Sequence, residues 1–298
     1  MSETGWLIIG ANGQLGRALQ AELAPRDDVT FWTRDEADLS NPLALKNALT
    51  AIQPTAIINA SAYTAVDKAE EEEALAMAVN ADSVGVMADF CAARNIPLMH
   101  FSTDYVFDGS GDQPRAEDAP TAPMSAYGRS KLAGERAVAE SGCKHLIFRT
   151  SWVYDAMGNN FVNTMLRVGA TREELRVVND QMGTPTYAPH LAGASVQCLD
   201  KALEMDAFPS GVYHMAGGGE PVSWHGFAEA IFKIARAKGM ELTVKDVHAI
   251  ATSEYPLPAP RPLNSRLDMK KLHDVFGLTM LNWHNGLRAY FNQKLEAN

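Results

Sequence analysis

Five short apolar runs recur along the first half of the chain, and each gives way to a longer segment with helical spacing. "WLIIG" (6–10), "VTFWT" (29–33), "AIINA" (56–60), "PLMHFS" (97–102) and "HLIFRT" (145–150) have the length and apolar density of buried strands. Between them, "GQLGRALQAELA", "NPLALKNALTAI", "AVNADSVGVMADFCAARN" and "SAYGRSKLAGERAVAES" carry apolar residues near i, i+3 or i+4. Strict alternation of this kind predicts a parallel sheet covered by helices on both faces, because a parallel strand pair needs a long crossover. The expected fold class is α/β, a doubly wound parallel sheet.

Past residue 150 the alternation loosens. "NNFVNTMLRVGA", "PHLAGASVQCLDKALE" and "SWHGFAEAIFKIARAKG" keep helical spacing, while "GDQPRAEDAPTAPMS" and "EYPLPAPRPLNSR" read as proline-rich loops. The simplest division is a first domain over 1–150 and a smaller C-terminal region over 151–298. With 298 residues, 46% of them hydrophobic, the chain can fill one large core and a smaller one.

Composition removes several function classes. A formal charge of −10 offers no basic field for nucleic acid or anionic lipid, so neither partner is expected. Cys91, Cys143 and Cys198 are odd in number and widely spaced, which predicts no disulfide framework and a reducing, cytoplasmic setting. "MSETGWLIIGANG" lacks a charged leader with a long apolar region, and no later run approaches the roughly 18 apolar residues of a membrane span. HExxH, GxSxG and GxxxxGK[ST] are absent, so metal hydrolase, serine hydrolase and P-loop readings lose ground and no metal ligands are expected from spacing. The "EEEE" run, Glu70 to Glu73, reads as a solvated helix face.

Gly10, Gly13 and Gly16 in "IIGANGQLG" fall where the first strand should turn into the first helix. Glycine there permits a tight turn, close approach of a pyrophosphate to backbone N–H groups, and tight helix–strand packing. Dinucleotide binding is the expectation. The second strand, which normally reads the adenosine ribose, ends in "TRDE": Arg34 suits a 2′-phosphate, Asp35 and Glu36 suit a free hydroxyl, and a plain charged turn fits equally. NADPH is the expected cofactor, with NADH as the alternative.

Tyr127 and Lys131 stand four residues apart on a predicted helix and so share a face. A free phenol, with a pKa near 10, is a poor acid–base catalyst at neutral pH, and an adjacent ammonium lowers it by about 1 to 3 pH units. Ser102 and Thr103 close the fourth strand, at the sheet edge where ligands bind in doubly wound folds; a hydroxyl there can hold a substrate carbonyl or simply cap the next loop.

The conjunction of glycine turn, strand-end hydroxyl and Y-x-x-x-K resembles the short-chain dehydrogenase/reductase superfamily in its extended, Rossmann-like form. Within it, "STDYVFDG", "YGRSKLAGE", "FRTSWVY", "NDQMGTPT" and "RPLNSRL" closely resemble the dTDP-4-dehydrorhamnose reductase family. The resemblance implies NADPH-dependent reduction of the 4-keto group of dTDP-4-dehydro-L-rhamnose, with Thr103, Tyr127 and Lys131 catalytic. It implies pyrophosphate contacts at Gly13, Gln14 and Leu15, adenine contacts at Asp38 and Leu39, and nicotinamide contacts at Ala62, Tyr63 and Thr64. Val66, Asp104 and Trp152 become sugar contacts, and Arg261 or Arg266 a diphosphate contact. Asp104 is followed by Tyr105, where the superfamily's dehydratases carry a glutamate, so reduction fits better than elimination. The resemblance further implies a chain that returns to the first domain after residue 150, and relatives that dimerise around magnesium. Two rivals stay open: a related nucleotide-sugar epimerase or reductase, and a non-catalytic, reductase-like regulatory subunit.

Overall fold

The computed structural model describes residues 4–296. Its first half runs β1 (Thr4–Ile9), α1 (Gln14–Leu23), β2 (Val29–Trp32), α2 (Pro42–Thr50), β3 (Pro54–Asn59), α3 (Glu73–Met77), α4 (Ser83–Arg94), β4 (Leu98–Thr103), α5 (Ala126–Glu140) and β5 (His145–Thr150). All five apolar runs form strands. Then follow β6 (Val153–Tyr154), α6 (Phe161–Gly169), β7 (Glu174–Val178), β8 (Met182–Gly183), β9 (Thr186–Tyr187), α7 (Ala188–Glu204) and β10 (Gly211–His214). The chain closes with β11 (Val222–Ser223), α8 (Trp224–Ala237), β12 (Asp246–Ile250), α9 (Lys270–Phe276) and α10 (Trp283–Glu296).

Six strands make one sheet in the order β10-β5-β4-β3-β1-β2, with every pairing parallel. The pleat sends alternate side chains to opposite faces. Trp6 and Ile8 of β1 accordingly join a core with Leu19 of α1 and Leu191 of α7, while Leu7 and Ile9 join Leu45, Met87 and Val138 on the other side. Two-sided burial is why these strands are apolar throughout rather than alternating. From β1 the chain steps outward to β2 and then back across to β3, which opens a crevice beyond the carboxyl ends of β1 and β3.

Residues beyond 150 take part in this sheet unit. Strand β10 pairs with β5, and α7 packs on α1. A second core lies under α6, α8 and α10, built from residues such as Val162, Leu166, Phe227, Phe232, Trp283 and Tyr290. Neither β10 nor α10 is signalled by the sequence: "GVYH" is too short to show a period, and α10 mixes buried aromatics with polar residues.

The helical stretch Glu73–Arg94 spans 22 residues, and its most apolar 18-residue window has a mean hydropathy of 1.3, long and apolar enough for a short membrane span by length and composition alone. Asn80, Asp82, Ser83 and Asp89 interrupt it, so it is no continuous apolar run. It is broken by a π turn at Ala78–Asp82, and α4 packs against β3, β4 and α5, which accounts for its apolar character.

Helix α5 approaches its neighbours through glycine. A Cβ on Gly134 would lie 2.1 Å from the Asn80 carbonyl oxygen in the π turn, and one on Gly128 would lie 2.3 Å from that of Tyr105. Gly134→Ala should therefore destabilise the protein by about 1–3 kcal/mol, the cost of overpacking. On an exposed helix the same change stabilises by about 1 kcal/mol. Urea unfolding midpoints decide between the two signs.

Candidate active site

A crevice of about 960 Å³ runs from the glycine turn to the amino end of α5. At its floor Gly10 has φ +94°, and a Cβ there would lie 2.7 Å from the Ser61 nitrogen, so only glycine fits. Gly13 occupies the N-cap of α1 without any side-chain cap, which leaves first-turn N–H groups directed at the crevice, as an anion requires. Gln14 and Leu15 line it as well. Gly16 does not reach it: its missing Cβ would lie 2.0 Å from the Gly10 oxygen, so its role is packing.

At the β2 end the charged cluster sorts itself. The Glu36 carboxylate accepts from the Thr33 N–H and hydroxyl, both at 2.7 Å, and neither Asp35 nor Glu36 lines the crevice. Asp38 accepts from Ser40 and sits 3.4 Å from Arg34, whose side chain is 78% exposed. Arg34, Asp38 and Leu39 line this end of the crevice.

Ala62, Tyr63, Thr64 and Val66 form the opposite wall. Asn80, inside the π turn, holds this wall: its oxygen accepts from the Tyr63 N–H at 2.8 Å, and its NH₂ donates to the Tyr63 carbonyl and Ser130 hydroxyl. Sequence reasoning overlooked Asn80, and only the π turn marks it.

The "EEEE" run is a partly solvated face whose carboxylates also have fixed partners. Glu70 accepts from the Ala126 N–H at the start of α5 at 2.8 Å, Glu73 pairs with Arg129 at 2.8 Å, and Glu72 accepts from the Tyr63 hydroxyl at 2.7 Å. Carboxylates at a helix N-terminus are favourable, because they meet unsatisfied N–H groups and the positive dipole end. Together with the Ser125 hydroxyl, which caps Gly128 at 3.1 Å, they fix where α5 begins.

Thr103, Tyr127 and Lys131 all line the crevice. Thr103 Oγ1 donates to Asp104 Oδ1 at 3.0 Å and accepts from the Tyr105 N–H at 3.2 Å. It thus caps the following turn and also faces the site. Burial raises the Tyr127 phenol to about 12, with the Thr103 hydroxyl pulling down and the Asp104 charge pushing up. The expected lowering by Lys131 is not among these influences. The Lys131 Nζ donates to the Phe101 carbonyl at 2.6 Å and lies 3.2 Å from His100 Nε2. Burial lowers Lys131 to about 8.

Trp152 has φ +51°, a left-handed conformation rare for a bulky residue, and lies flat on Trp224 with ring centroids 3.5 Å apart. It faces the crevice, whereas Trp224 faces a second cavity of about 480 Å³. Arg261 lines that second cavity and pairs with Asp67 at 2.6 Å, so its charge is partly engaged. Arg266 donates to Asn264 Oδ1 at 3.0 Å and lines neither cavity. The three cysteines are free and buried. Among the described residues no group of three or more His, Cys, Asp or Glu side chains could hold a metal ion.

Asp104 is 2% exposed, its Oδ2 has no partner, and burial raises its carboxyl to about 6. Between the ordinary value of about 4 and this one, the unfolded chain loses a proton that the folded protein keeps. The contribution favours folding below about pH 4 and is lost as the pH rises through 6. Asp104→Asn should remove it, making the variant more stable relative to the parent at pH 7 than at pH 4 by about 2–3 kcal/mol. Urea midpoints at both pH values measure this, and an unchanged pH profile would contradict it.

Residues 5–296 match the family model described as RmlD substrate binding domain. The chain is 46% identical over 282 residues to dTDP-4-dehydrorhamnose reductase of Burkholderia thailandensis, covering 93% of this chain and 94% of that one. It is 42% identical over 291 residues to the enzyme of Escherichia coli K12, covering 96% and 97%. A crystal structure of dTDP-4-dehydrorhamnose reductase from Bacillus anthracis in complex with NADP superposes with a TM-score of 0.88 at 37% identity, covering 98% of this chain and 100% of that one. With this likeness along nearly its whole length, the chain belongs to the dTDP-4-dehydrorhamnose reductase family.

Proposed function

We propose that this protein reduces the 4-keto group of dTDP-4-dehydro-L-rhamnose, giving dTDP-L-rhamnose at the expense of NADPH. The observation that carries the reading is that Thr103, Tyr127 and Lys131 line one crevice that begins at an uncapped glycine turn. The cofactor, when bound, supplies a hydride. The chain's task is to orient the ketone, exclude water and provide the proton.

Thr103 is placed to hydrogen-bond the ketone oxygen, and Tyr127 to give its phenolic proton to that oxygen as negative charge develops there. A phenol raised to about 12 is fully protonated at neutral pH, the form a donor needs. An alkoxide is more basic still, so the transfer runs downhill. Lys131, on the crevice wall one helical turn away, would hold the nicotinamide ribose. Trp152 offers an apolar plate for the sugar. The second cavity, with Phe161, Gln181, Trp224 and Arg261, has the aromatic and cationic lining to take the nucleoside diphosphate.

Tyr127→Phe should lower kcat by about 10²–10⁴, the usual size of a general-acid effect, while NADPH binding changes little. Loss of absorbance at the nicotinamide band measures the first and fluorescence titration the second; a variant as active as the parent would remove Tyr127 as donor. Arg34→Ala should raise KM for NADPH about tenfold and leave KM for NADH nearly unchanged, because only the 2′-phosphate meets the guanidinium. Equal effects on both cofactors would contradict that preference.

A further inference from the structure

A buried line of three side chains runs beneath the site. Asn59 of β3, His100 of β4 and Lys131 of α5 are 0%, 0% and 1% exposed. The Ser61 N–H lies 3.0 Å from Asn59 Oδ1; an N–H can only donate, so that atom is the amide oxygen and the other is the NH₂ group. The NH₂ faces His100 Nδ1 at 3.1 Å, so Nδ1 accepts and carries no proton. A neutral imidazole then bears its proton on Nε2.

That Nε2–H points at Lys131 Nζ, 3.2 Å away. An ammonium there would set two donors against each other in a dry interior. An uncharged amine has a lone pair to accept the Nε2–H, and its own N–H still donates to the Phe101 carbonyl at 2.6 Å. The geometry therefore selects the amine.

We propose that Asn59 and His100 are positioning residues that hold Lys131 as a free amine in the empty enzyme, so that binding of the dinucleotide is coupled to uptake of one proton by Lys131. The step is R–NH₂ plus a proton from solvent giving R–NH₃⁺; no other bond changes. It rests on the reductase reading, since the driving force is the negative charge and hydroxyl acceptors that NADPH brings into the crevice beside Lys131.

The groups around Lys131 are few. From β4 it meets His100, which burial keeps neutral, well below the usual histidine range. From its own helix come Tyr127 and Glu135, and the Glu135 charge favours the ammonium. Glu135 is itself held by Arg149 of β5 at 2.7 Å and by Ser102 of β4. Burial outweighs Glu135 and lowers Lys131 to about 8, so the free amine prevails above that pH.

The test is calorimetric titration of the intact protein with NADPH at pH 9, in buffers of differing ionisation enthalpy. At that pH the nucleotide phosphates are fully ionised and contribute no protons. The parent should take up about one proton per NADPH bound. Asn59→Asp should take up less than about a third of that, because a carboxylate accepts from both the Ser61 N–H and a His100 Nδ1–H, freeing Nε2 to accept from an ammonium already present. Tight binding without proton uptake in the parent, or equal uptake in Asn59→Asp, would overturn the proposal while leaving the reductase reading intact. Failure of the parent to bind NADPH at all would overturn both. Should Asn59→Asp not fold, ¹⁵N imidazole shifts of the parent decide: a protonated Nε2 and bare Nδ1 on His100 support the proposal, and the opposite tautomer overturns it.

Discussion

The site depends on one buried carboxylate. Glu135, on α5, takes a bidentate pair from Arg149 of β5, with Nε at 2.9 Å and Nη2 at 2.7 Å, and a hydrogen bond from Ser102 of β4 at 2.5 Å. Both members of the ion pair have side chains only 5% exposed. A buried pair adds little net stability over an apolar one, but removing either partner costs about 3–5 kcal/mol. Its value here is therefore specificity of placement. It ties α5 to two adjacent strands and aims the turn carrying Tyr127 and Lys131 at the strand end carrying Thr103.

Glycines let that helix come close, and the acidic residues before it set where it starts. Gly128 and Gly134 bring α5 into contact with the backbone at Tyr105 and Asn80, while Glu70 and Ser125 satisfy its first N–H groups. Asn80 then links the helix to the wall at Tyr63. The result is a catalytic surface drawn from β3, β4, α5 and the loop after β5. Its electrostatics follow from burial more than from charge pairs: desolvation is the largest influence on Tyr127, Lys131, His100 and Asp104 alike.

Much of this was legible in the sequence because it is local. The five apolar runs, the glycine turn and the Y-x-x-x-K spacing each declare themselves within a dozen residues, and their alternation dictates the parallel sheet. What the sequence hid depends on distant partners. Spacing placed Lys131 and Tyr127 on one helix, yet it could not show that the lysine nitrogen lies against His100 and donates to the Phe101 carbonyl on β4. The glutamate run looked solvated because its partners, Ala126 and Arg129, lie 56 residues away. The strained Trp152 conformation needs Trp224, and β10 needs β5, before either has a reason to exist.

The central claim is that a hydride reaches the sugar ketone in this crevice and the chain supplies the matching proton. The most direct measurement is the fate of isotope from NADPH carrying deuterium at the reactive C4 position of its nicotinamide, incubated with the protein and dTDP-4-dehydro-L-rhamnose. On this account one deuterium per turnover appears at C4 of the sugar in dTDP-L-rhamnose. Sugar nucleotide recovered unreduced, or a reduced product free of deuterium from either hydride face of the nicotinamide, would contradict it.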